Sequence, residues 1–128
     1  MTEGEGEKPE PSITGAAFWA LMARWGVADD LALPLIAGPP RTANGKRPRF
    51  RLVGEQVDRF ELLRAIDQHL TDLRRDPAAW LAKANAGKPF ARRKPIAFMA
   101  EGGPEAIAET LRFLERQAFK ASLDRSAE

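Results

Sequence analysis

The fold is decided by residues 53–73, VGEQVDRFELLRAIDQHLTDL, the longest segment with helical periodicity in the 128-residue chain. Its apolar side chains recur every three or four residues, the spacing that places them on one face of an α-helix. These positions are Val53, Val57, Phe60, Leu63, Ile66, Leu70 and Leu73. The pattern stops at Asp76-Pro77, because a proline cannot continue a helix. The segment therefore predicts one long central helix.

Two shorter helices are predicted on the N-terminal side of the central helix. The first begins after Thr14, a residue suited to capping, and ends at Gly26. Its apolar side chains again follow the helical spacing. The second begins at Asp29 or Asp30 and is short, because Pro34 falls inside it.

Three more helices are predicted on the C-terminal side, and each begins at a proline. Pro77 follows Asp76, which is placed to cap its helix. Pro95 begins a short helix and Pro104 begins the last one. Residues 49–53 are the only stretch with the alternation of a strand, and so short a segment cannot form a sheet alone. The sequence therefore predicts an all-α fold of about six helices.

Composition restricts the class of protein. Hydrophobic residues make up 44% and charged residues 30% of the chain, values typical of a soluble globular domain. The chain has no cysteine and one histidine, His69, which excludes disulfide frameworks, thiolate metal sites and histidine clusters. No ordered serine nucleophile accompanies His69, so no catalytic residue is predicted. No membrane span or secretory signal is visible, and a cytoplasmic location without membrane contact is expected.

The net charge of +2 is unevenly distributed. Residues 1–12, MTEGEGEKPEPS, carry four Glu against one Lys, so the remaining residues carry +5. This segment has almost nothing to bury and is predicted to be a disordered acidic tail. The predicted organisation continues with a helical part over residues 13–75, a second helical domain over 76–121 and a flexible tail over 122–128.

Residues 38–50, GPPRTANGKRPRF, are rich in proline and glycine and are predicted to form a cationic loop. Guanidinium and hydroxyl groups suit contact with the phosphates of DNA. The candidate DNA-binding residues are Arg41, Thr42, Lys46, Arg47, Arg49 and Arg51. The prolines prevent one long recognition helix, so contact with the DNA backbone is favoured over reading of bases. The alternative is a solvated basic loop.

An ordered set of landmarks lies between residues 70 and 118. It consists of a Trp-led helix, an Asn, a Phe before an Arg-rich turn, a Pro that starts a short helix, a Gly pair and a final helix with a Leu near its end. These residues are Trp80, Asn85, Phe90, Arg92, Pro95, Met99, Gly102, Gly103 and Leu114. In this order they resemble the toxin-binding domain of the Xre/MbcA/ParS antitoxins. Trp25-Gly26, followed by residues 29–38, is similar to the helix-turn-helix part of that family.

The resemblance implies both a fold and a function. The expected fold joins an N-terminal helix-turn-helix-like part, through the central helix, to a small C-terminal toxin-binding domain. Members of the family cover the active site of RES-domain toxins, which consume NAD, and many repress their own operon. The chain is therefore expected to be an antitoxin of a type II toxin-antitoxin system that binds a RES-domain toxin and operator DNA, without a cofactor or catalysis of its own. A homodimer that buries the surplus of the 53–73 stripe is also expected, although packing within the chain would bury it equally well.

The candidate toxin-binding residues form two groups. Phe90, Arg92, Arg93 and Lys94 belong to a turn, whereas Arg112, Arg116 and Lys120 form one row on the last helix. The alternatives are a Phe90 packed into the core and a row of ordinary solvated charges. The rival function is an orphan DNA-binding regulator that uses the C-terminal domain for dimerisation or another partner.

Overall fold

The computed structural model describes residues 12–39 and 46–127 as a mostly helical fold with one small sheet. The elements in chain order are β1 (Ser12–Thr14), α1 (Gly15–Trp25), α2 (Asp29–Leu35), β2 (Arg51–Val53), α3 (Glu55–Asp72), α4 (Pro77–Ala82) and α5 (Pro95–Ala127). The predicted helical fold class is confirmed, and the prediction that it contains no sheet is wrong. Residues 1–11 of the tail predicted over 1–12, and the candidate residues Arg41 and Thr42, lie outside the described residues.

The central helix is confirmed as α3. Five of the seven stripe positions are buried on it, namely Val57, Phe60, Leu63, Ile66 and Leu70. Val53 instead lies on β2 and is 50% exposed, because Gly54 separates the strand from the helix with a φ of 55°. Because packing within the chain buries these five positions of α3, the stripe does not support the homodimer, which stays a prediction.

The small sheet pairs β1 with β2 in antiparallel register, with Ile13 opposite Leu52. Leu52 is fully buried, whereas its two neighbours on β2 are exposed. The backbone N–H of Gly15 continues the pairing with a 2.9 Å hydrogen bond to the carbonyl of Phe50. The alternating segment therefore finds its partner at the end of the predicted acidic tail, and Ser12 belongs to a strand rather than to that tail.

Two of the predicted helix starts, those of α1 and α4, are confirmed by their caps. The Thr14 hydroxyl accepts a hydrogen bond from the backbone N–H of Ala17 at 3.4 Å, and the Asp76 carboxylate accepts one from Ala79 at 3.0 Å. Each satisfies a backbone donor that the first turn of a helix leaves without a partner. Gly26 ends α1 as expected.

The two predicted C-terminal helices occur as one element, α5, with a break. Gly103 has φ 72° and ψ −156°, a non-helical conformation, and Pro104 follows it. The described chain consequently has five helices rather than about six. Residues 122–127, which were predicted to be a flexible tail, lie in the last turns of α5.

One hydrophobic core contains residues from both predicted parts of the chain. Phe18 and Trp25 of α1, Leu63 of α3, and Met99 and Leu114 of α5 all belong to the same buried cluster. Helix α5 packs against both α2 and α3. Residues 13–75 and 76–121 are thus held together by shared packing. No helix within the described residues combines the length and the apolar character needed to cross a membrane.

Candidate functional site

The first candidate site is a cavity of about 400 Å³ between the start of α1 and the segment before β2. We call it the Trp19 pocket. It is lined by Thr14, Gly15, Ala16, Trp19, Arg47, Pro48, Arg49, Phe50 and Arg51. The β1–β2 pairing creates it, because it lays residues 47–51 alongside the N-terminal turn of α1. Three of the predicted DNA-binding residues therefore share one concave surface with two aromatic rings.

Arg47 is held in place on two sides. Its guanidinium carbon lies 4.5 Å from the centroid of the Trp19 ring. Its Nε donates hydrogen bonds of 3.2 Å to both carboxylate oxygens of Asp29 at the start of α2, and its Nη2 lies 3.1 Å from Oδ1. These contacts restrict the half-exposed Arg47 side chain, and the Asp29 carboxylate offsets its charge.

The other predicted cations of this segment, Lys46, Arg49 and Arg51, are exposed. Residues 46–50 have no regular secondary structure, in agreement with the predicted loop. This part of the segment thus presents no helix that could enter the major groove of DNA. Exposed basic side chains of this kind suit contact with phosphates.

Phe90 does not lie on the surface, where its candidate role in toxin binding requires it to be. It is fully buried, with its ring centroid 5.2 Å from that of Phe113, 5.4 Å from Phe98 and 5.8 Å from Trp80. Four aromatic rings from α4, the following turn and α5 therefore form one packed group. Phe90 as a surface contact is a wrong prediction, and the alternative that it packs into the core is confirmed.

The turn after Phe90 is exposed and has a fixed backbone. Arg92 has a φ of 72°, and its N–H donates a 2.7 Å hydrogen bond to the carbonyl of Asn85. Arg93 pairs with Asn85 in an isolated bridge, and its Nη2 lies 3.1 Å from Oε1 of Glu101. Lys94 is exposed immediately before α5. These three cations are accessible to a partner surface.

The predicted row on the last helix lines a groove. Arg112 and Arg116 surround a cavity of about 280 Å³ together with Lys88, Pro89 and Glu109. We call this the α5 groove. Lys120 lies one helical turn beyond Arg116 and is exposed. The α5 groove therefore places Lys88, which was not a candidate toxin-binding residue, beside the candidates Arg112 and Arg116. The candidates at residues 92–94 do not line this groove.

The most exposed large apolar side chains of α5 lie near its end. Phe119 is 64% exposed and Leu123 is 53% exposed, and they follow each other at one-turn spacing. Leu114 is the last buried residue of α5, and none of residues 115–125 is buried. Sequence reasoning missed this apolar end of α5. The sequence signal was the one-turn spacing of Phe119 and Leu123, which lie beyond Leu114 on the same helix.

A third cavity, of about 530 Å³, lies between α1 and α3. Its charged groups already have partners, since Arg24 pairs with Asp67 and Arg64 lies 3.8 Å from Glu61. His69 is half-buried on α3. Across residues 12–39 and 46–127, no three His, Cys, Asp or Glu side chains are grouped so that they could hold a metal ion.

Three comparisons with known proteins give no relative. The sequence matches no family model, no curated protein matches it, and no solved structure matches the chain.

Proposed function

We propose that this chain is an antitoxin that binds and blocks a RES-domain toxin through α5 and also binds operator DNA through residues 46–51. The class of partner follows from the sequence resemblance. The observation that carries the proposal is the apolar end of α5, defined by Phe119 and Leu123, which extends past the hydrophobic core.

The apolar end has the composition of a binding surface. A soluble chain that exposes a Phe and a Leu side by side leaves apolar area for a partner to cover. Large apolar anchors surrounded by charged residues are typical of protein interfaces. Arg116 and Lys120 supply such charges next to Phe119.

The length of α5 beyond Leu114 suits the blocking of a cleft. Residues 115–127 follow the last buried position of α5. At about 1.5 Å per residue they extend roughly 20 Å. Blocking an active site requires only that this segment occupies the cleft, and no catalytic group on the present chain is needed.

The α5 groove supplies electrostatic complementarity. Lys88, Arg112 and Arg116 line it together with a single carboxylate, Glu109. Such a surface favours an acidic patch on the partner and increases the rate of association at low salt.

Co-expression with a RES-domain protein tests the proposal. The unaltered chain is expected to co-purify with the RES protein and to stop its consumption of NAD. The double variant Phe119→Ala/Leu123→Ala is expected to weaken inhibition at least ten-fold, because it removes both anchors. Val53→Ala removes an exposed apolar side chain of β2 and serves as the matched control with unchanged inhibition. The proposal is wrong if no RES protein is bound or if the double variant inhibits as well as the control.

A second candidate function is an orphan DNA-binding regulator, and the Trp19 pocket favours it. Arg47, Arg49 and Arg51 line this concave surface. They lie in the N-terminal half of the sequence, far from the apolar end of α5. This function predicts salt-sensitive binding to a promoter fragment that is weakened when Lys46, Arg47, Arg49 and Arg51 are replaced together. Unchanged DNA binding in that variant would contradict it.

A further inference from the structure

We infer that α5 binds an acidic amphipathic helix of its partner through one face, which presents two arginines followed by two large apolar side chains. We call it the α5 contact face, and it consists of Arg112, Arg116, Phe119 and Leu123. The inference rests on the proposed binding of a partner by α5. It names the element that the partner contributes, a helix with carboxylates along one part and apolar side chains along the next.

The four residues of the α5 contact face lie on one side of the helix. They are separated by four, three and four positions. At about 3.6 residues per turn, this spacing keeps them within an arc of about 60°. All four side chains are exposed. The helix therefore presents its cations and its apolar groups to the same partner surface, in a fixed order.

The α5 contact face points away from the hydrophobic core. Ile107 and Leu114 are fully buried and mark the core side of α5. Leu123 follows Leu114 by nine positions, which places it at roughly 180° from the core side. Phe119 lies within about 40° of Leu123 around the helix axis. The elements that cover Leu114 therefore do not cover these two side chains, and their apolar area is left for a partner.

The cations beside the apolar pair are available to carboxylates. Within the described residues, the side chains of Lys88, Arg112 and Arg116 form no ion pair and no hydrogen bond. All three line the α5 groove, in which Glu109 is the single carboxylate. The positive charge of the groove is thus not balanced within the described chain, and carboxylates of a partner would balance it.

A helix is the partner element that fits the spacing of the contact face. Separations of four and three positions are those of the seam between two packed helices, in which side chains of one helix fit between those of the other. Added strands need free backbone donors and acceptors, whereas those of α5 are bonded along the helix. From Arg112 to Leu123 the contact face extends roughly 16 Å, or about three turns of a partner helix.

A second copy of this chain does not supply that helix. In a parallel pair, each arginine of the contact face would meet the same arginine of the other copy. In an antiparallel pair centred on this face, Arg112 would meet Leu123 and Arg116 would meet Phe119. Neither pairing brings a carboxylate of the contact face to the arginines, and burying a charge without a partner is costly. The inference therefore commits to a different protein.

Anisotropy of labelled helical peptides with the full chain tests the inference. The acidic probe is an amphipathic peptide of three heptads, with Glu at the seam positions of one half and Leu at those of the other half. The basic probe has Lys in place of each Glu. We expect the acidic probe to bind roughly ten-fold more tightly, because its carboxylates meet the free arginines. Equal affinity for the two probes would overturn the inference.

Paired double variants identify the face that binds. Arg112→Ala/Arg116→Ala is expected to weaken binding of the acidic probe roughly ten-fold, because two charge-assisted contacts are lost. Lys83→Ala/Arg125→Ala removes the same charge at exposed positions outside the contact face and is the matched control with unchanged affinity. All four substituted side chains are exposed, so loss of folding does not separate the variants. Equal affinity of the two double variants would contradict the inference.

Sedimentation of the chain without a partner tests the competing occupant. We expect no association through the contact face, so Phe119→Ala/Leu123→Ala is expected to leave the sedimentation of the chain unchanged. A dimer that this double variant dissociates would mean that a second copy covers the contact face, and would overturn the inference.

The outcomes separate this inference from the proposed function. A chain that blocks a RES-domain toxin but does not prefer the acidic probe overturns only the inference. A chain that binds the acidic probe through the contact face but binds no RES-domain protein overturns only the proposed function.

Discussion

The indole Nε1 of Trp25 donates a 2.9 Å hydrogen bond to the Oδ1 atom of Asp67, which joins the end of α1 to the middle of α3. Arg24 donates to the same carboxylate from its Nε, at 2.9 Å. Trp25 is only 2% exposed, so its indole N–H depends on this acceptor. One carboxylate thus connects two consecutive residues of α1 to α3.

Asp67→Ala is expected to lower the free energy of unfolding by about 1–3 kcal/mol, because it leaves the buried indole N–H without an acceptor. The ion pair with Arg24 adds little, since the Arg24 side chain is 51% exposed. Urea unfolding measures the change. Asp72→Ala, which removes an exposed carboxylate of the same helix that accepts from Gln68, is the control, with a change within about 0.5 kcal/mol. Equal losses in the two variants would contradict the prediction.

Phe90→Ala is expected to cost about 3–5 kcal/mol of stability, because it leaves a cavity among the rings of Trp80, Phe98 and Phe113. Phe119→Ala makes the same chemical change at a side chain that is 64% exposed. Its expected change is within about 0.5 kcal/mol. Thermal or urea unfolding of both variants compares them directly, and a small effect of Phe90→Ala would show that the aromatic group is not packed as described.

Gly103→Ala is expected to lower stability by about 1–3 kcal/mol, because φ 72° and ψ −156° belong to a region that is almost restricted to glycine. A Cβ atom at this position would meet nothing within 4 Å, so the cost is one of backbone conformation alone. The control is Gly87→Ala, where φ is not positive and the nearest atom is a side-chain oxygen at 3.3 Å. A Gly103→Ala chain as stable as the control would mean that α5 does not break there.

Asp76→Ala is expected to cost about 1 kcal/mol, because the N–H of Ala79 loses its capping acceptor at the start of α4. Asp76→Asn keeps a side-chain oxygen at the same position and is expected to retain most of the stability. Circular dichroism during urea unfolding measures both variants, and an Asn variant as unstable as the Ala variant would contradict the capping role.

The helices could be predicted because their signals are local. The apolar stripe of α3, the caps Thr14 and Asp76 and the prolines that begin α4 and α5 each depend on residues within a few positions of one another. The sheet could not be predicted in the same way. It pairs Ile13 with Leu52, which are far apart in sequence, and β1 is too short to show a pattern.

The charges of the candidate site could be predicted from the sequence, but the contacts between its residues could not. The composition of residues 38–50 identified Arg47 and Arg49 as candidate ligand-binding cations. That Arg47 lies over Trp19 depends on the pairing of β1 with β2, which brings distant segments together. The exposure of the Phe90 and Phe119 side chains could not be predicted either, because it depends on which helices pack around each ring.

The continuity of α5 across the core boundary determines the type of recognition available to the chain. The turns that contain Ile107 and Leu114, which follow the break at Gly103, are fixed by burial, so this part of the helix is already nucleated where burial ends. Residues 115–127 only propagate it, and a partner would meet a rod of set direction rather than a strand of coil that must first be ordered. Docking by rigid bodies, with association rates limited by orientation and charge, follows from a helix that is anchored at one end and solvated at the other.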